Sequence, residues 1–101
     1  MNANIRKDRP VFWLTKNQNT GYYVFMDIRR IAGDNIRFIR QKRTLSQEAL
    51  ATKSGISLSY IKYVEKGEEY AISIVKLEKI ANVLKVEPGL LLEPKAHSRI
   101  E

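Results

Sequence analysis

From residue 27 onward the apolar positions recur at three- and four-residue intervals, the spacing of one helical face. Ile28, Ile31, Ala32, Ile36 and Ile39 form the first such stripe, with Asp27 placed to cap it, and predict a helix running to about Arg43. Ser46 can cap a short helix through Lys53 that turns Leu50 and Ala51 inward, and Gly55 follows where a left-handed residue ends a helix. Ser57 caps a third through about Lys66, closed by Gly67 in the same way. Ser73 begins a fourth, with Leu77, Ile80, Ala81 and Leu84 along one side. After Val86, Pro88 can start a fifth, short helix through Leu92, and Pro94 stops it. Ahead of all this lie two β-prone runs, Val11-Phe12-Trp13-Leu14 and Tyr22-Tyr23-Val24-Phe25, on either side of polar Thr15 to Gly21. They predict a short hairpin or an irregular extension, and a lone hairpin needs another surface to lean on.

The expected fold class is therefore all-α with five helices. The expected organisation is an N-terminal extension over residues 1–26, a helical domain over 27–92 and a flexible tail over 93–101. Residues 46–67, SQEALATKSGISLSYIKYVEKG, hold two short helices joined by Ser54-Gly55-Ile56, a turn that sets helices at a steep angle. Ala51 is small where the two would cross. Steps of 100° turn Ile61 and Val64 inward and leave Leu58, Ser59, Lys62 and Tyr63 facing out. A lysine can donate to guanine O6 and N7, a serine can pair with several base edges, and a leucine can meet a thymine methyl. That is chemistry for reading a major groove.

Charge supports this reading. The 101 residues carry 18 Lys and Arg against 11 Asp and Glu, a net +7, and the excess is uneven. Residues 1–32 and 33–67 each carry +4, whereas 68–101 carry −1. A basic front with a near-neutral back suits a polyanion-binding face. With no cysteine, disulfides and thiolate metal sites are excluded. His97, the one histidine, lies in the tail and is expected to be neither metal ligand nor catalytic base. No His/Asp/Ser set, glycine-rich phosphate loop or paired acids suggest an enzyme, and no cofactor is expected. No stretch approaches the roughly 18 apolar residues of a membrane span, so a cytoplasmic, nucleoid-associated protein is expected.

Several short motifs stand in one register: Asn35-Ile36-Arg37, Ile39-Arg40, Leu45-Ser46-Gln47-Glu48, Leu50-Ala51, Ser54-Gly55-Ile56-Ser57, Tyr60-Ile61, Val64-Glu65 and Gly67. With Leu77, Ile80-Ala81, Leu84, Val86 and Leu91-Leu92, the chain over 27–92 resembles the Cro/repressor class of helix-turn-helix DNA-binding domains, the xenobiotic-response-element-like family. The resemblance implies a lambda-repressor-like fold. It places Leu58, Ser59, Lys62 and Tyr63 at base-facing positions, and Gln47 at a residue that holds a backbone phosphate and braces the reading helix. Ser57 falls at a cap where a hydroxyl meets phosphate. Arg43, Lys53 and Lys66 fit phosphate contacts or plain surface charge equally well. Arg40 and Glu65 match an ion pair that ties the first helix to the end of the reading helix. Two positions depart from the family. Glu68-Glu69-Tyr70-Ala71-Ile72 is acidic where the family has basic or amide residues before a proline, which weakens the expectation of a phosphate clamp. Phe38 stands where a polar residue is usual, so it can cover, or be covered by, the aromatic front segment.

One reading helix spans few base pairs, so the family's mode of action implies a homodimer on an inverted-repeat operator in double-stranded DNA. Leu90, Leu91 and Leu92 run consecutively and cannot all face one core, which makes Leu90 and Leu92, with Trp13, candidates for the dimer surface. Residues 1–26 keep three readings: a dimer-forming hairpin, a cover for Phe38, or upstream sequence before a start at Met26. A transcriptional regulator is the leading function. The alternatives are an antitoxin that binds a toxin as well as its operon, and a controller of restriction-modification genes.

Overall fold

The computed structural model describes residues 12–16, 23–68, 72–94 and 96–99, with side chains for 27–68, 72–94, 96 and 97. Strands β1 (Phe12–Lys16) and β2 (Tyr23–Asp27) pair antiparallel, with Trp13 opposite Met26 and Phe12 opposite Asp27. β2 runs straight into α1 (Ile28–Lys42), followed by α2 (Gln47–Ser54), α3 (Leu58–Glu65) and α4 (Ile74–Leu84). The fifth element differs from the expected α-helix. Pro88–Leu92 is a 3-10 turn, short enough to fit between Val86 and Pro94, and a second 3-10 turn covers Ala96–Arg99.

Each α-helix starts on a side chain that accepts a backbone N–H: Asp27 from Arg29, Ser46 from Ala49, Ser57 from Tyr60 and Ser73 from Lys76. Asp27 also accepts Nε and Nη2 of Arg29, and these bonds hold its carboxyl below the usual carboxylate range. Its contribution to stability is present above the ordinary carboxyl pKa and fades as pH falls through the lowered one. All four helices close in left-handed turns. Gly55 (φ 71°) and Gly67 (φ 75°) suit that geometry, whereas Thr44 (φ 56°) and Lys85 (φ 61°) adopt it with a side chain attached. In each, an N–H reaches back five residues to a carbonyl of the helix, from Leu45 to Arg40, Ile56 to Ala51, Glu68 to Tyr63 and Val86 to Ala81.

The core lies where the helices meet: Ile36 and Ile39 of α1, Leu50 and Ala51 of α2, Ile61 and Val64 of α3, Leu77, Ile80, Ala81 and Leu84 of α4, with Ile56 and Leu91. One residue sets how closely α1 and α3 approach. A Cβ on Gly33 would stand 2.2 Å from the Val64 carbonyl oxygen, so only glycine admits this crossing. Some of the described residues near the C-terminus contact the helical body. Buried Asn35 donates its Nδ2 to the carbonyls of Leu91 and Glu93, both at 2.9 Å. Ala96 is fully buried, and the His97 ring stacks on Phe38 with centroids 4.0 Å apart.

Candidate nucleic-acid interface

Ala51 of α2 is buried in the core beneath the two helices, and Ile61 and Val64 fasten α3 to it. What remains outside is the face expected to read DNA. Ser59 and Lys62 are exposed, Tyr63 is 52% exposed, and Ser57 is exposed at the cap. Leu58 differs, being half-buried and packed against the core, which leaves only its edge for a partner. Tyr60 is a packing residue: its hydroxyl accepts the Ser73 N–H at 3.1 Å, and Lys76 Nζ lies 4.3 Å from the ring centre.

The end of α3 is held by a buried polar knot. Arg40 donates Nε to Glu65 Oε2 at 2.6 Å and Nη2 to Glu65 Oε1 at 3.0 Å, while its Nη1 goes to the Leu45 carbonyl at 2.8 Å. The side chains are 10% and 3% exposed, so this fork carries both the desolvation cost and the geometry of a buried pair. Gln47 donates Nε2 to Glu65 Oε1 at 3.0 Å, linking the start of α2 to the end of α3. An amide, an arginine and a carboxylate from three helices thus set the angle of α3.

The structure sorts the candidate phosphate contacts into two groups. Gln47 and Lys66 share a cleft with Arg37, Arg40, Lys62 and Glu65, next to the exposed face of α3. Arg43 and Lys53 do not belong there. They line a separate hollow with Leu45, Val83 and Lys85, and Arg43 donates Nε to the Leu84 carbonyl at 2.9 Å. Arg43 therefore closes the end of α4, a structural task, because a helix C-terminus attracts a cation. Of the dimer candidates, Leu90 and Leu92 are half-buried on either side of fully buried Leu91. Trp13 falls in β1, where its side chain lies outside the described residues. Arg37 in this cleft, and Asn35 beneath the C-terminal segment, fall outside the residues expected at the site. Both are visible as an Asn-Ile-Arg run, but nothing local ties Arg37 to a cleft completed by α3.

The model of the helix-turn-helix family matches residues 36–91, more than half the chain. The chain belongs to that family. The control protein C.SmaI of Serratia marcescens is 48% identical over 68 residues, which are 67% of this chain and 80% of that protein. The restriction-modification controller protein C.AhdI of Aeromonas hydrophila superposes with a TM-score of 0.59 at 38% identity, over 62% of this chain and 94% of its own. SinR, the master regulator for biofilm formation, has been solved in complex with DNA. It superposes with a TM-score of 0.59 at 34% identity, over 61% of this chain and 98% of its own. These relatives carry the names of regulators and not of enzymes. Among the described residues no helix is long and apolar enough to cross a membrane.

Proposed function

We propose that this helix-turn-helix protein is a transcriptional regulator that binds double-stranded DNA sequence-specifically as a homodimer, with α3 in the major groove. The observation that carries this reading is the exposed row Ser59, Lys62 and Tyr63 on a helix anchored from beneath by Ile61, Val64 and the Arg40–Glu65 pair. Lys62 reads guanine, Ser59 and Tyr63 read neighbouring edges, and Leu58 contributes apolar contact at the margin. Ser57, Gln47 and Lys66 meet backbone phosphates. The working unit is the domain over 27–92, a five-helix lambda-repressor-like arrangement if the 3-10 turn at Pro88–Leu92 is counted as the fifth helix. Leu90 and Leu92 face the partner subunit, and the paired strands at the N-terminus, with Trp13, extend that contact. Two subunits then address half-sites about one helical turn apart. A regulator of this kind works in the cytoplasm, on the nucleoid.

A narrower role is favoured by the relatives. Similarity to a control protein and to a restriction-modification controller supports a controller of such an operon over an antitoxin. The test is a gel shift at about 150 mM salt with DNA from upstream of the protein's own gene, alongside a scrambled duplex. Preference for the upstream DNA of about a thousand-fold is expected for a specific regulator. Equal binding to both duplexes would remove the sequence-specific reading. For the controller role, the preferred DNA should lie ahead of an adjoining methyltransferase or endonuclease gene.

A further inference from the structure

We propose that the cleft between α1 and α3 is a phosphodiester site in which Arg37 supplies the principal positive charge. The inference rests on the DNA-binding reading above and adds a residue and a site to it. Six side chains line the cleft: Arg37, Arg40, Gln47, Lys62, Glu65 and Lys66. All are polar or charged, and their cationic heads outnumber the one carboxylate. What fits is a small oxyanion carried on a chain.

The charges in the cleft are unequally committed. Arg40 and Glu65 neutralise one another at 2.6 Å. Gln47 gives one amide N–H to Glu65 and keeps the other, with its oxygen, free among the described residues. Lys62 on α3 and Lys66 at its C-cap sit four residues apart, both exposed, with no acidic partner among the described residues. Like charges at that spacing repel and weaken the free helix. Arg37 adds a third cation from α1. Its partner among the described residues is Asp34, a turn earlier and 3.6 Å away, with the two side chains 54% and 42% exposed. A solvated pair of that length holds little. Three cations gathered around one cleft become favourable when an anion enters, and Lys62 joins that cleft to the reading face. Arginine also presents the planar fork that suits a phosphate. Asp34 then acts as a competitor, drawing Arg37 toward α1 and away from the cleft.

The experiment measures affinity for a mixed-sequence 24-base-pair duplex across a salt series, using fluorescence anisotropy and the full chain. Arg37→Gln should weaken binding about five- to ten-fold near 100 mM salt, and lower the slope of log K against log salt by about one per bound subunit. Asp34→Asn should strengthen binding about two-fold by releasing Arg37. Lys79→Gln removes the same charge from exposed α4 outside the cleft and should change affinity by less than about two-fold. If the unaltered protein binds and Arg37→Gln keeps its affinity and slope, this inference is overturned while the regulator reading stands. Equal losses from Arg37→Gln and Lys79→Gln would overturn it too, since net charge would then explain both. An unaltered protein that fails to bind any duplex would overturn both proposals. Thermal melts accompany each variant, and should Arg37→Gln melt early, Asp34→Asn decides: unchanged or weaker binding counts against the site.

Discussion

The cleft beside α3 and the hollow beside the end of α4 both contain arginine and lysine, yet their charges are spent differently. In the first, Arg40 is consumed by Glu65, and Arg37, Lys62 and Lys66 are left around the opening. In the second, Arg43 is tied to the Leu84 carbonyl, with Leu45 and Val83 giving the hollow an apolar lining beside Lys53 and Lys85. A count of cations would rate the two alike. What separates them is place and lining: the first adjoins the exposed face of α3 and is lined by charged and amide side chains alone, whereas the second lies at the end of α4. The proposed phosphate site depends on that place beside α3, which the second hollow lacks.

That contrast can be broken most forcefully at Arg40. Arg40→Met leaves the Glu65 carboxylate buried without its partner and should cost about 3–5 kcal/mol in urea denaturation, whereas a loss under about 1 kcal/mol would deny the pair its structural role. Gly33→Ala should follow at about 1–3 kcal/mol, because a methyl group beside the Val64 carbonyl forces α1 off the end of α3. That change deforms the first hollow and spares the second, so DNA affinity of the folded fraction should fall as well.

The smaller effects separate binding from folding. Lys62→Ala should lose about 1–3 kcal/mol of affinity for the preferred site and relax one base position, with stability within about 0.5 kcal/mol of the parent. Arg43→Met should do the reverse, removing about 1–2 kcal/mol of stability while anisotropy titrations show unchanged affinity. At the same hollow, Lys85→Gly should stabilise by about 0.5–1 kcal/mol. It relieves left-handed strain of ~1–2 kcal/mol that exceeds the extra flexibility glycine brings to the unfolded chain. A loss of DNA binding from either Arg43→Met or Lys85→Gly would show that the second hollow is part of the interface after all.

Much of this was legible before any coordinates. Asp27, Ser46, Ser57, Ser73, Gly55 and Gly67 act within a few residues of themselves, so their roles can be read from their neighbours. The inward stripe of each helix is equally local. Illegible were the roles completed across the chain. Asn35 bonds carbonyls 56 and 58 positions away, and Arg43 reaches one 41 positions on, which no spacing rule reveals. Arg37 looked like one charge among many until α3 supplied the opposite wall of its cleft. Thr44 and Lys85 were hidden for another reason: they take a backbone conformation that their residue types disfavour. Leu58 is half-buried as well as outward, since a residue in the first turn of an eight-residue helix still lies close to the core.

The side chains of Ser59, Lys62 and Tyr63 make no hydrogen bond, ion pair or ring contact with the rest of the described molecule. Nothing leans on them. Their identities can therefore be exchanged in combination without rebuilding what lies underneath, and under the proposed reading this makes the scaffold a convenient host for retargeting to new DNA words.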